Sequence, residues 1–442
     1  MMCVNVIGAG LAGCEAAYQI AKRGVRVKLF EMKPEKKSPA HKTDGFAELV
    51  CSNSFKADRV NSAAGLLKEE MRHLDSLLLR AADKSRVAAG GALAVDRDIF
   101  SSIVTDEIKN NELIEIIGGE VTEIPDGITV IATGPLTSDK FAENIYSRFG
   151  GALSFFDAAA PIVTFESIDM EKAFFESRYG KGDGTDYLNC PMNKEEYEIF
   201  YDALVNAERA PVHSFDVRDP KVYEGCMPIE VMAQRGKDTI RFGPMKPVGL
   251  TDPRTNHRPW AVLQLRKENS EGTMLNLVGF QTNLKFPEQK RVFGLIPALK
   301  NAEFVRYGVM HRNTFLNSPQ VLNSDFSAKA DRNVFFAGQI TGVEGYMESA
   351  SSGIMAGINA AGRVLGYESL LLPETTVIGC LSRYIADKSV KDFQPMGANF
   401  GIMPELENRP RDKRERGQAY ADRSLKDLDN YLESVSQNEN YC

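Results

Sequence analysis

Residues 4 to 13 read VNVIGAGLAG, a short apolar run that stops at Gly8 and reopens as LAGCEAAYQIAKR. Gly8, Gly10 and Gly13 are spaced like the turn between a strand and a helix where the backbone passes close to a bulky ligand. Side chains at those positions would block both the tight turn and the approach. Gly24 stops the helix as a left-handed C′ residue does. VRVKLFE then alternates Val25, Val27 and Leu29 like a second strand, and Glu31 ends it. A carboxylate in that place accepts bonds from ribose hydroxyls while a pyrophosphate rests on the helix N-terminus. The glycine spacing alone is a weak signal. Strand, turn (Gly8-Ala9-Gly10-Leu11-Ala12-Gly13), helix, second strand and Glu31 together constrain the chain to an α/β fold holding a dinucleotide.

The α/β pattern continues to about residue 150. A helix is expected from Ser62 to Ala82, with Leu66, Leu67, Met71, Leu74, Leu77 and Leu78 on one face. VDRDIFSSIVTDEIKNN reads as another, with Phe100, Ile103, Val104 and Ile108 inward, and IEIIGGEVTEI and GITVIATG read as strands. From 151 to 320 prolines, aromatics and short β-like runs take over: APIVTFES, DTIRFGP, AVLQLRK and LNLVGFQ. This stretch reads as an inserted mixed α+β domain on the substrate side. Residues 321–442 return to strand–loop–helix, completing the first domain. A charged tail follows, expected to be helical between about 414 and 434. The fold class is therefore α/β, a Rossmann-like FAD-binding domain of the glutathione-reductase type with an insertion.

Two later features favour FAD over NAD. TVIATG runs from a strand into a small-residue turn at Gly134, and VFFAGQITGVEG runs from a strand into Gly338 and Gly342. FAD is long enough to need such a second contact zone, whereas one doubly wound unit usually suffices for NAD. With no second strand–GxGxxG–helix, a nicotinamide would reach the flavin only transiently.

Composition narrows the classes. No apolar run of about 18 residues is present, so no membrane span is expected. The start has no basic, apolar leader pattern. Seven scattered cysteines without a Cys-x-x-Cys pair disfavour metal sites and dithiol redox motifs, and a reduced, cytoplasmic protein is expected. The 53 basic and 60 acidic residues give −7, so any RNA contact must come from local basic patches.

Two thiols keep unusual company. Cys51 sits in GFAELVCSNSFKAD among small polar residues, and Cys226 follows a glycine near Arg235, Lys237, Arg241 and Lys246. Nearby positive charge lowers a thiol pKa from about 8.5 and makes the nucleophilic thiolate. Taken singly, each is more often an inert buried cysteine.

The stretches VIGAGLAGCEAA, AELVCSNSF, FFDAAAPIV, GCMPIEVMAQRG, RFGPMKPVGL, HRNTFLNSP, TGVEGYMESASSG and FQPMGANFGIMP run in order over nearly the whole chain. In them the chain resembles the folate- and FAD-dependent tRNA (uracil-5-)-methyltransferases, which make ribothymidine in the T-loop. More distant tRNA wobble-uridine flavoproteins share the first domain but not the full set.

The resemblance implies methylenetetrahydrofolate as carbon donor, reduced FAD as methylene carrier and hydride source, NADPH or NADH as reductant, and tRNA as substrate. It also gives the cysteines work, since uracil C5 becomes nucleophilic only once a thiolate has added at C6. By analogy Cys226 is the nucleophile and Cys51 its partner, and the reverse order stays open. The same chemistry on ribosomal RNA, or a small-molecule FAD oxidoreductase, are the alternatives.

Gln339 stands where many flavoproteins bond the ribityl chain. Tyr346 would stack on a pterin or bond the backbone through its hydroxyl. Lys246, or the N-terminus of the helix expected after Ser352, would face the charge of reduced flavin. His311 reads as structural rather than catalytic. RPRDKRER (409–416), with five bases against two acids, is an RNA candidate or a solvated face.

Overall fold

The structure is a computed structural model describing residues 3–38, 40–150, 152–180, 184–210, 227–308, 310–390 and 393–437. Its centre is a parallel sheet of five strands in the order Val334–Phe336, Ile128–Ile131, Cys3–Ile7, Arg26–Glu31, Ile114–Gly118. The expected opening strand, VNVI, is the middle one and is buried throughout. A parallel strand covered on both faces reads as a nearly continuous apolar run, and its one polar residue, Asn5, donates to the Asp126 oxygen at 3.0 Å. Helices Leu11–Lys22 and Tyr346–Leu365 pack against each other over this sheet. Gly353 and Gly357 make that contact: a Cβ on them would lie 2.2 Å from the Ala12 oxygen and 2.7 Å from the Ala16 oxygen.

A second sheet has six antiparallel strands: Phe174–Phe175, Tyr187–Met192, Ala261–Lys267, Met274–Leu277, Ile162–Thr164, Phe304–Arg306. Helix Lys194–Val205 covers it, started by a capping box between Asn193 and Glu196. The core here is separate from the first and includes Leu188, Tyr197, Phe200, Leu263, Phe280 and Phe293. Cys190 belongs to this core, and burial pushes its thiol up to about 12. A two-stranded ribbon, Ala152–Ala158 with Met310–Leu316, sets His311 opposite Asp157. Among the described residues no helix is long and apolar enough to cross a membrane.

Two expectations fail locally. The helix expected over 62–82 is two, Ala63–His73 and Leu77–Lys84. Asp75 breaks it in a left-handed conformation (φ 57°), its carboxylate taken by Lys22 at 2.6 Å, Tyr18 at 3.0 Å and Arg80. Ser76 then caps the second piece, its hydroxyl accepting from the Leu79 N–H. The apolar stripe runs through both pieces, so periodicity could not show the break. DTIRFGP, read as a strand, holds the short helix Thr239–Phe242. A strand would put Ile240 and Phe242 on one face, but Ile240 is buried and Phe242 is 69% exposed. The charged tail forms helix Lys413–Gln437, with Asp412 accepting from the Arg414 and Glu415 N–H groups.

Candidate functional site

A cleft opens at the carboxyl ends of the central parallel strands, where open α/β sheets bind ligands. Gly8, Ala9, Gly10, Leu11, Ala12, Glu31, Gly134, Gly338, Gln339 and Tyr346 all line it. The three turn glycines differ in what they do. Gly8 has φ +97°, and a Cβ there would lie 2.8 Å from the Ala132 oxygen. One on Gly13 would lie 1.7 Å from the Gly8 oxygen, so Gly13 closes the turn rather than lining the cleft. Gly10 has no atom within 4 Å of its absent Cβ and leaves open space beside the start of helix Leu11–Lys22. That space and the helix start fit a pyrophosphate.

Glu31 is pinned by the Ala9 N–H at 2.8 Å and the Lys33 N–H at 2.9 Å. Each carboxylate oxygen has a second lone pair for a ribose hydroxyl. Across the cleft, the Gly338 N–H donates to Ser352 Oγ at 2.7 Å and Gln339 donates to Glu344 at 2.6 Å. Gly342, at φ +81°, packs on the Phe393 ring and shapes its loop without lining the cleft. The loop also carries the FQPMGANFG stretch: the Glu344 N–H donates to the Met396 oxygen and the Met396 N–H to the Gly342 oxygen.

Other lining residues escaped the sequence reading. Lys33 is buried, bonds the Gly45 oxygen and stands 3.8 Å from Glu48. His41 meets Ser38 at 2.6 Å, and burial together with Lys33 holds its imidazole below the usual range. Nothing in the local pattern of residues 33–48 marks these positions.

The Cys51 loop meets the cleft through Tyr346. The Tyr346 hydroxyl accepts from the Cys51 N–H at 2.7 Å and the Ser52 N–H at 3.2 Å. Burial raises its phenol, and charge on Cys51 would raise it further. Three arginines from distant elements close on the same loop. Arg97, at the start of helix Arg97–Lys109, donates to the Leu49 and Cys51 oxygens and pairs with the buried Glu268. Arg306 bonds the Val50 oxygen, and Arg266 reaches Ser52 Oγ at 3.1 Å and Asn53 Oδ1 at 2.7 Å. Burial and the neighbouring Arg97 hold Arg306 below its ordinary value, while Cys51 pulls the other way. Arg266 is 6% exposed, and its Nε makes no hydrogen bond among the described residues. The loop that carries the half-buried Cys51 is thus held in a positive field.

Cys226 lies outside the described residues. Of the described residues on either side of it, the Ala210 N–H donates to the Asn283 oxygen and the Ile229 N–H to the Gln281 oxygen. Lys246 is exposed on the antiparallel body and does not line the cleft, against the flavin-side place considered for it.

The family described as Glucose inhibited division protein A matches residues 3–368. The chain belongs to the GIDA family. Within it, a protein of Acetivibrio thermocellus named "Methylenetetrahydrofolate--tRNA-(uracil-5-)-methyltransferase TrmFO" is 62% identical, covering 98% of this chain and 99% of that protein. A Streptococcus suis protein of the same name is 58% identical over 97% of this chain and 98% of its own length. The solved GidA of Aquifex aeolicus superposes with a TM-score of 0.68 at 18% identity, covering 99% of this chain and 75% of that one. That likeness extends the GIDA fold over both bodies.

Proposed function

We propose that this chain is a methylenetetrahydrofolate–tRNA (uracil-5-)-methyltransferase holding FAD in the glycine cleft. The observation that carries the proposal is 62% identity, across essentially the full length, to a protein of that name. The cleft suits the cofactor: the space beside Gly10 and the pinned Glu31 would take the pyrophosphate and ribose, and Gly134, Gly338 and Gln339 the far end. When bound and reduced, the flavin supplies the one-carbon unit and the hydride.

The chain's own residues activate the uracil. A thiolate adds to C6, its sulfur forming the new bond while the C5–C6 π electrons move to C5 and O4. C5 then bonds to the methylene carbon, whose bond to its nitrogen carrier breaks as the C5 proton leaves to a base. Hydride adding to the resulting exocyclic methylene gives the methyl group, and elimination breaks the C6–S bond and returns the thiolate. Cys226 is proposed as this nucleophile and Cys51 as its partner, with Arg97, Arg266 and Arg306 shaping the Cys51 loop. The inserted domain, 151–320, is assigned to the RNA side. The reductant is proposed to be a visiting NADH or NADPH.

An unmodified tRNA transcript bearing 5-fluorouridine at the T-loop target tests this in the presence of methylenetetrahydrofolate and NADPH. Fluorine cannot leave as the proton does, so the attacking thiol stays bonded to the RNA. Peptide mass spectrometry is expected to find the adduct on Cys226. An adduct on Cys51 would exchange the roles. No adduct in yellow, reducible protein would overturn the function in favour of a flavin oxidoreductase.

A further inference from the structure

A second groove lies at the other end of the antiparallel body, lined by Lys172, Lys194, Arg241, Phe242, Arg258 and Trp260 among others. Its distance from the cleft follows from register. In strand Ala261–Lys267, Arg266 pairs with Tyr187 and touches Ser52 and Asn53, while Ala261 pairs with Met192. Trp260 stands six residues before Arg266, so the groove lies roughly 20 Å from the Cys51 loop.

The chemistry of this groove differs from the rest of an acidic chain. Two of its three acids are already engaged: Asp252 holds Arg254 at 2.6 Å, and Glu196 accepts from the Asn193 N–H in the capping box, while Glu171 is exposed beside Lys172. Lys172, Lys194 and Arg258 are exposed and have no ion-pair partner among the described residues. Between them stands the chain's one tryptophan, with the Arg241 guanidinium 3.8 Å from its ring centroid and Lys194 Nζ 5.7 Å away. Phe242 beside it is 69% exposed. Cations without carboxylate partners beside one exposed aromatic ring, Phe242, are what a nucleotide chain requires, phosphates on the former and a base on the latter.

We propose that this groove binds the RNA substrate at a second point, about 20 Å from the Cys51 loop, with Lys172, Lys194 and Arg258 on phosphates and Phe242 under a base. The inference rests on the tRNA reading above. Charge favours RNA over a second copy of this chain, whose net −7 would meet these cations only locally. The contact would hold the substrate in register while the uridine enters the cleft.

Filter binding of an unmodified tRNA transcript over a range of potassium chloride concentrations tests this with two holoenzyme variants. Lys172→Ala/Lys194→Ala/Arg258→Ala is expected to raise Kd about tenfold or more and to lower the slope of log K on log salt by about 2. Phe242→Ala is expected to raise Kd about fivefold with the slope unchanged. Both side-chain sets are exposed, so melting temperature and flavin absorbance should match the wild type. Wild-type-like Kd and slope in the triple variant would overturn the groove while leaving the tRNA reading standing. Failure of the wild type to bind tRNA at all would overturn both.

Discussion

The Gly8–Gly13 turn and the loop around Cys51 belong to one cleft but are built by opposite means. The turn works by what is missing. Within six residues, absent side chains let the backbone fold on itself at Gly13 and leave room at Gly10. The loop works by what arrives from elsewhere. Arg97, Arg266, Arg306 and Tyr346 come from four elements to satisfy the oxygens and N–H groups of residues 49–53. The turn is therefore sensitive to an added carbon at Gly8 and Gly13, while the loop is sensitive to the loss of a partner.

The largest effect is expected at Gly13. Gly13→Ala puts a carbon on the Gly8 oxygen and should cost about 3 kcal/mol or more, with loss of flavin absorbance. Gly10→Ala meets no protein atom, so denaturant unfolding of the apoprotein should be unchanged while flavin affinity falls about tenfold. Equal destabilisation by the two would break the contrast drawn between them.

On the loop side, Arg97→Met leaves Glu268 buried without its ion-pair partner and removes two bonds to the loop. Arg266 still faces Glu268, so a loss at the lower end for a broken buried pair, roughly 3 kcal/mol in urea unfolding, is expected.

pH separates the halves further. Glu15, on the helix that begins at the turn, is raised by burial to about 7, even though Ser76, Leu77 and Leu78 donate to it. The folded state then holds a proton that the unfolded chain has released, so the contribution of Glu15 to stability is full below about pH 4.5 and falls by up to about 3 kcal/mol as the pH rises to about 7. Glu15→Gln should flatten that part of a stability-against-pH curve. Glu70, also raised to about 7 by burial, keeps a residual slope of the same sign.

The smallest effect is Tyr346→Phe, which takes the acceptor from the Cys51 and Ser52 N–H groups. About 1–2 kcal/mol and slower methyl transfer are expected. Unchanged turnover would mean that the hydroxyl does not position the loop.

The glycine half was legible because its signal is local. Gly8, Gly10, Gly13 and Glu31 fall within two dozen residues, and the strand and helix periods flank them. Gly338, Gln339 and Tyr346 were found from the same kind of pattern. Cys51 stood out by its polar neighbours, but its arginines did not. Arg266 lies in AVLQLRK, where it reads as the polar position of a strand, and only the pairing of that strand brings it to Asn53. The break at Asp75 and the helix at 239–242 were hidden similarly, since each depends on partners distant in the chain: Tyr18 and Lys22 for one, Trp260 for the other.

By itself, then, the sequence determined the α/β class, the strand–helix–strand opening and the dinucleotide turn. Backbone conformation and hydrophobic period act over a few residues, and a linear string records them directly. Only the tertiary structure decided which cations surround the Cys51 loop, that Tyr346 joins that loop to the cleft, and that a basic aromatic groove lies a strand's length away. Those are long-range electrostatic and hydrogen-bonding choices. They are fixed by which strands pair and which helices cross, after the local patterns have been satisfied.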